Sequence, residues 1–283
     1  MMSEDITKEK VGARVDVECA SLDLLYEHTV LILPDMWKYC GGSAAELYEF
    51  HRRFGIPWKR ADYRFSMEYE ALMPRVDITS YVDGAFSKLG DNDHEIPWHS
   101  DVPIHGDKGL NWPIRSLTAW RLPQHPTASS FCSTYAIYDA LSEEEKAFAS
   151  EVSLTYQSWY QPGTQFTDMP LVQSHPVTGR KFLALNSYNQ GKNMEPTKRW
   201  IAGVKLSGDT LSGLDCRSVL GRYDEAIEEL AYSHVWEYGE MVIFDNAGLL
   251  HRRDGRVDPA NPRKFFRMNL RHFHQVIAGP AAC

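Results

Sequence analysis

From about residue 60 onward, apolar residues tend to recur at every second position, the pattern of a strand with one buried face. Residues 75–82 alternate in this way, and the loop 84–94 that follows is rich in Gly, Asn and Asp. Further strand candidates are 29–34, 116–122, 130–138, 153–160, 180–185, 241–245 and 264–276. Helical patterns are confined to 21–28, 44–54, 139–149 and 223–232. Ser43 is read as an N-cap, with Glu46 three residues on. No Pro-, Ser- or Gly-rich linker divides the 283 residues. The expectation is one domain over 1–283, with 1–20 loosely ordered. It is mainly β with helical decoration, a sandwich or jelly roll.

Aromatic residues make up 12% of the chain, including 8 Trp, which suits a β-rich core and a pocket walled by rings. The net charge of −8 argues against a nucleic-acid partner. Five scattered cysteines without a CxxC pair suggest neither a zinc site nor a disulfide framework. The N-terminus has no signal-peptide pattern. No apolar run approaches the roughly 18–20 residues of a membrane span. A reducing cytoplasm is the expected location, with a small molecule as partner, no membrane, and a homo-oligomer left open.

The stretch 97–103, Pro-Trp-His-Ser-Asp-Val-Pro, carries the chemistry. On a strand His99 and Asp101 share a face, so an imidazole and a carboxylate stand side by side. A second His from elsewhere would complete a 2-His-1-carboxylate facial site for Fe(II). His105 and Asp107 repeat the spacing, but in a polar, Gly-containing loop without strand pattern. His251 follows a short buried-type strand and a turn, which suits delivery to the mouth of a barrel. Sixteen residues later Arg267 shares a strand face with Asn269 and Arg271. A barrel-facing guanidinium calls for an anion, and its planar fork matches a carboxylate. A salt bridge to one of the 38 acidic residues is the ordinary alternative.

Four segments in order then resemble the taurine dioxygenase (TauD/TfdA, clavaminate-synthase-like) family of Fe(II)/2-oxoglutarate-dependent oxygenases. They are Trp98–Asp101, Tyr135–Ser142, His175–Asn186 and Trp236–Asn246 with His251, Arg263 and Arg267. The resemblance spans roughly residues 75–275 and implies a double-stranded β-helix. It implies that His99, Asp101 and His251 bind iron and that Arg267 grips the distal carboxylate of 2-oxoglutarate. Arg263 matches a second arginine near the co-substrate, and Ser130 a hydroxyl on the same carboxylate. Fe(II), 2-oxoglutarate and O2 would together oxidise a substrate C–H, releasing succinate and CO2. Hydroxylation is the default outcome; desaturation, cyclisation and isonitrile- or vinyl-forming oxidation occur in relatives. Asp101 disfavours halogenation, because related halogenases carry a small residue there. Two readings of other kinds remain: an O2-using iron enzyme without 2-oxoglutarate, and a non-catalytic metal-binding jelly roll.

Candidate substrate-wall residues are Tyr81, Trp98, Tyr156, Trp159 and Asn186. Taurine-type enzymes commonly place an Asn four residues before the first metal His, where this chain has Glu95. A carboxylate there would repel a sulfonate and suit an amine. The resemblance thus points away from taurine, toward an amino acid or an amine-bearing specialised metabolite.

Overall fold

The computed structural model of the chain describes residues 4–5, 11–58, 77–80, 96–100, 114–157, 165–185, 201–256 and 263–271. The N-terminal part comprises β1 Glu4–Asp5, β2 Ala13–Arg14, α1 Leu22–His28, β3 Val30–Leu33, α2 Met36–Tyr39, α3 Ala44–His51, β4 Ile56–Trp58 and β5 Asp77–Ser80. The middle follows with β6 Ile96–His99, β7 Ile114–Arg121, β8 Ser129–Ser133, α4 Thr134–Ala140, α5 Glu143–Ser150 and β9 Val152–Gln157. Then come β10 Gln165–Pro170, β11 Val172–Ser174, β12 Lys181–Leu183, β13 Ile201–Leu206 and β14 Asp209–Thr210. The last part is α6 Gly213–Gly221, α7 Asp224–Glu229, β15 Tyr232–His234, β16 Met241–Asp245, β17 Leu249–Arg253 and β18 Lys264–Arg271. No described helix is long and apolar enough to cross a membrane.

Two sheets face each other, as expected of a jelly roll. The larger runs β1-β2-β3-β16-β7-β18-β4, with β5 also on β18; the smaller runs β15-β8-β17-β6. Alternation along the strands sorts the side chains into three apolar layers. Between the sheets lie Ala119, Val242, Phe244 and Phe265 from the larger, and Phe131 and Leu249 from the smaller. The outer face of the larger sheet buries Ile243, Phe266, Met268 and Leu270 against Leu25 of α1 and Leu47 and Phe50 of α3. The outer face of the smaller sheet buries Trp98, Cys132 and Leu250 against Ile137 of α4 and Ile227 of α7. A third sheet, β10-β9-β13-β14, extends this last layer through Leu154 and Val204.

Helix starts follow side-chain caps. Ser21 and Ser43 accept from Leu24 N and Glu46 N at 3.3 Å, closing the first turns of α1 and α3. Two expectations are corrected. The strand expected over 130–138 ends at Ser133, and α4 begins at Thr134. The aromatic content of Tyr-Ala-Ile-Tyr suggested a strand. The backbone turns instead because Ser133 caps the helix, accepting from Ala136 N at 3.3 Å. The helix expected over 139–149 is two helices. Leu141 is extended, at φ −66° and ψ 142°, and a capping box between Ser142 and Glu145 restarts the chain as α5. Helix α6 and strands β10 and β13 had no clear periodicity in the sequence.

Candidate active site

Register places two histidines side by side. His251 of β17 is the cross-strand partner of His99 of β6 and, on the other edge, of Phe131 of β8. Directly opposite residues of an antiparallel pair point to one face. Phe131 lies in the layer between the sheets, so both imidazoles face the interior. Their ring centroids are 4.2 Å apart. His251 also packs 5.2 Å from the Phe244 ring of the facing sheet.

Both rings are held neutral. Burial pushes His99 well below the usual imidazole range, with His251 and Arg115 adding to the effect. Burial, then the charge of Arg115, lowers His251 to about 3. His99 Nδ1 lies 2.7 Å from the Pro97 carbonyl, so this nitrogen donates and the lone pair stays on Nε2. A neutral imidazole with its other nitrogen engaged is the form that ligates a metal. Asp101, the expected third ligand, lies outside the described residues, as does the rival pair His105 and Asp107. The donor set that is described fits iron as two members of a facial triad.

A polar cluster sits farther along the same interior face. Ser129 pairs with Arg253 on one side and His234 on the other. The Ser129 hydroxyl accepts from Trp236 Nε1 at 3.0 Å and from Arg263 Nη1 at 3.4 Å. Arg263 is 3% exposed, donates also to the Thr127 carbonyl, and lies 5.2 Å from the Phe265 ring. Nearby, His234 Nε2 lies 2.7 Å from Glu240 Oε1, and both residues are buried.

Arg267 falls between the two groups. It stands opposite Leu117 of β7 and Asp77 of β5. Two residues on, Asn269 is across from Arg115, which is across from Phe244 at the level of His251. Two residues the other way is Phe265, 4.5 Å from Trp236 at the Ser129 level. Each step is roughly 7 Å along the strand.

A third cluster holds the turn that leads into β17. Tyr135 Oη donates to Asp245 Oδ2 at 2.6 Å, and Ala247 N donates to Asp245 Oδ1 at 2.9 Å. His175 Nδ1 accepts from Val177 N and Thr178 N at 3.3 and 3.1 Å, and its Nε2 lies 3.7 Å from Asp245 Oδ2. Burial raises the Asp245 carboxyl above its ordinary value, opposed by His175 and Tyr135.

Three candidates lie away from the histidine pair. Ser130 alternates to the outer face, where its hydroxyl donates to Asp254 Oδ2 at 2.6 Å beside Arg252. The inward hydroxyl is Ser129, one residue earlier. Trp98, next to His99, also points outward. Its Nε1 donates to Glu228 at 2.9 Å and its ring lies under Arg252 at 4.4 Å. Tyr156 is fully buried in that outer layer and donates to the Ala184 carbonyl. Glu95, Tyr81, Trp159 and Asn186 lie outside the described residues. Sequence reasoning missed Ser129 and Arg115. The alternation of β7, with Leu117 and Ala119 inward, was the signal that could have found Arg115.

Residues 15–269 match the protein family described as "Taurine catabolism dioxygenase TauD, TfdA family". The chain is 22% identical over 222 residues to the alpha-ketoglutarate-dependent xanthine dioxygenase xan-1 of Neurospora crassa, covering 61% of this chain and 51% of that protein. It is 27% identical over 169 residues to the alpha-ketoglutarate-dependent 2,4-dichlorophenoxyacetate dioxygenase of Cupriavidus pinatubonensis, covering 55% and 53%. The chain thus spans about half the length of these curated relatives. Among solved structures, a putative alpha-ketoglutarate-dependent taurine dioxygenase from Burkholderia xenovorans aligns with TM-score 0.65 at 17% identity, over 95% of this chain and 92% of that one. AAD-2, crystallised with Mn(II) and N-oxalylglycine, aligns with TM-score 0.63 at 18% identity, over 95% and 96%. These likenesses share the fold.

Proposed function

For a chain that belongs to the TauD, TfdA family, we propose an Fe(II)- and 2-oxoglutarate-dependent dioxygenase that hydroxylates a C–H bond of a small molecule. The reaction consumes O2 and 2-oxoglutarate and yields the alcohol, succinate and CO2. The observation that carries it is the neutral His99–His251 pair on the interior face. His99, Asp101 and His251 would hold the iron. When bound, iron supplies the redox chemistry that activates O2.

The chain's own residues bind and orient. Arg263 and Ser129 are assigned to the distal carboxylate of 2-oxoglutarate, because guanidinium and hydroxyl already meet there, away from the histidines. Arg267, one step nearer the pair, is assigned to the keto-acid half of the same molecule. The layer of Phe131, Phe244 and Leu249 excludes water. The substrate is proposed to be an amino acid or amine-bearing metabolite, on the strength of Glu95, and the protein to act in the cytoplasm.

The test is anaerobic Fe(II) loading followed by succinate release with a substrate panel. One iron per chain, lost in His251→Ala, is expected; no stoichiometric iron would sink the reading. Arg263→Ala should keep iron and weaken 2-oxoglutarate binding by about 30-fold or more, the loss of a buried charge-assisted pair. A silent Arg263→Ala beside a severe Arg267→Ala would return the distal carboxylate to Arg267. A sulfonate without an amine as best substrate would overturn the role given to Glu95.

A further inference from the structure

The two strands that carry the histidine pair do not run in plain register. His251 of β17 is opposite His99 of β6, but Arg253 is opposite Ile96. Two steps along β17 therefore match three along β6, and Pro97 and Trp98 together face Arg252 in a β-bulge. Proline suits this place on an edge strand, since it has no N–H to leave unpaired. The Pro97 carbonyl within the bulge holds His99 Nδ1 at 2.7 Å, so the shape of the bulge sets the direction of that imidazole.

On the outer face, one carboxylate reaches both sides of the bulge. Glu228 of α7 accepts from Trp98 Nε1 at 2.9 Å through Oε1, and from Arg252 Nη1 at 2.8 and 3.0 Å through both oxygens. The Arg252 guanidinium lies 4.4 Å over the Trp98 ring, and Asp254 Oδ1 accepts from its Nε at 2.7 Å. Trp98 and Arg252 are the chain neighbours of His99 and His251. With the Glu228 side chain 48% exposed, its ion pair adds little to stability by itself. What it fixes is position. Ile227 beside it is fully buried in the outer layer, so α7 is anchored and its carboxylate holds two strands at the level of the histidines. We propose that Glu228 is a positioning residue for the metal site. It acts through Trp98 and Arg252 on the bulge, and the bulge keeps the His99 and His251 rings at the spacing that one metal ion requires. This inference rests on the reading of His99 and His251 as metal ligands.

The test titrates the full chain anaerobically with Co(II), whose visible absorption reports its coordination geometry. Wild type is compared with Glu228→Ala, Glu228→Gln, Trp98→Phe and Leu220→Ala, and urea midpoints are measured alongside. Leu220 of α6 is buried in the same outer layer and takes no part in these hydrogen bonds. Glu228→Ala should bind Co(II) about ten-fold more weakly, with an altered spectrum, as for other outer partners of metal ligands. Glu228→Gln keeps an acceptor for the indole and should stay within about three-fold of wild type, with the wild-type spectrum. Trp98→Phe keeps a ring but loses the N–H, and should bind at least three-fold more weakly. Leu220→Ala should lower the urea midpoint at least as much as Glu228→Ala, yet leave Co(II) affinity and spectrum unchanged. Wild-type affinity and spectrum in Glu228→Ala overturn the proposal. A Co(II) loss in Leu220→Ala as large as in Glu228→Ala also overturns it, by making the effect one of stability. So does a Glu228→Gln as weak as Glu228→Ala, because the indole arm then carries nothing. A wild type that binds no Co(II) fails at the first step and removes the parent reading, and this one with it. Should Glu228→Ala not fold, Trp98→Phe against Leu220→Ala decides, and wild-type binding in Trp98→Phe overturns the proposal.

Discussion

At Gly248 a single hydrogen decides the placement of a metal ligand. A Cβ there would lie 2.1 Å from Tyr135 Cε2 and 2.3 Å from Cζ. The ring cannot lift away freely. Its hydroxyl donates to buried Asp245, and Thr134 N donates to the Gly248 carbonyl at 2.9 Å. The turn 245–248 is thus clamped against the start of α4, and His251 follows three residues later. Gly248→Ala must push the turn or the ring aside, and such overpacking costs about 1–3 kcal/mol. Urea denaturation should show that loss, and Fe(II) titration should show weaker binding as β17 shifts. An unchanged unfolding midpoint would mean the ring yields without cost. The sequence displayed this clamp only in part. Tyr135 and Asp245 stood in segments that resemble the family and Gly248 lies two residues past the second, but their mutual contact is long-range. For the same reason the sequence missed by one residue which serine faces inward: Ser129 and Ser130 are chemically alike, and only the pairing of Phe131 with His251 separates them.

Among the elements, α3 is fastened to the larger sheet through a histidine. His51 Nδ1 donates to the Leu47 carbonyl of its own helix, and Nε2 accepts from Ser116 of β7, each at 2.5 Å. Burial lowers this imidazole to about 4. The folded value lies below the unfolded one near 6.5, so the unfolded chain takes up the proton first. Stability from this contact is full above 6.5 and is lost as pH falls toward 4. Between pH 7 and 5 the loss from His51 alone is about 2 kcal/mol. Urea midpoints at the two pH values should show a smaller difference in His51→Gln than in wild type, and an equal difference would show that His51 is accessible to protons when folded. The helices carried their starts in the sequence where a serine precedes them, as at Ser43. The break at Leu141 was harder to see, because the Glu-rich run 143–145 continues a plausible helix from Asp139 and only the extended Leu141 backbone separates the two.

For the whole molecule, alternation made the jelly roll legible, since each strand announces an inner and an outer face. The partner of each face was not legible. Trp98 was a candidate pocket wall, yet it adjoins His99. Adjacency in a strand means the opposite face, and Trp98 stabilises the layer under α4 and α7 instead. The same two-sheet plan sets the last expected behaviour. The metal would be bound by β6 and β17 of one sheet, while Arg267 belongs to β18 of the other. Metal and co-substrate together would therefore tie the two sheets across the interior, and neither alone does so fully. A ligand present at 100 times its Kd stabilises the native state by about 2.7 kcal/mol. In a chain of this size each kcal/mol moves Tm by roughly 2–4 °C. Mn(II), which does not turn over, and 2-oxoglutarate, each at 100 times its Kd, should together raise Tm by about 10–20 °C, roughly twice the rise from either ligand alone. The Arg263→Ala variant should retain the Mn(II) increment and lose most of the 2-oxoglutarate increment. An equal rise with 2-oxoglutarate in the absence of metal would place the co-substrate away from His99 and His251.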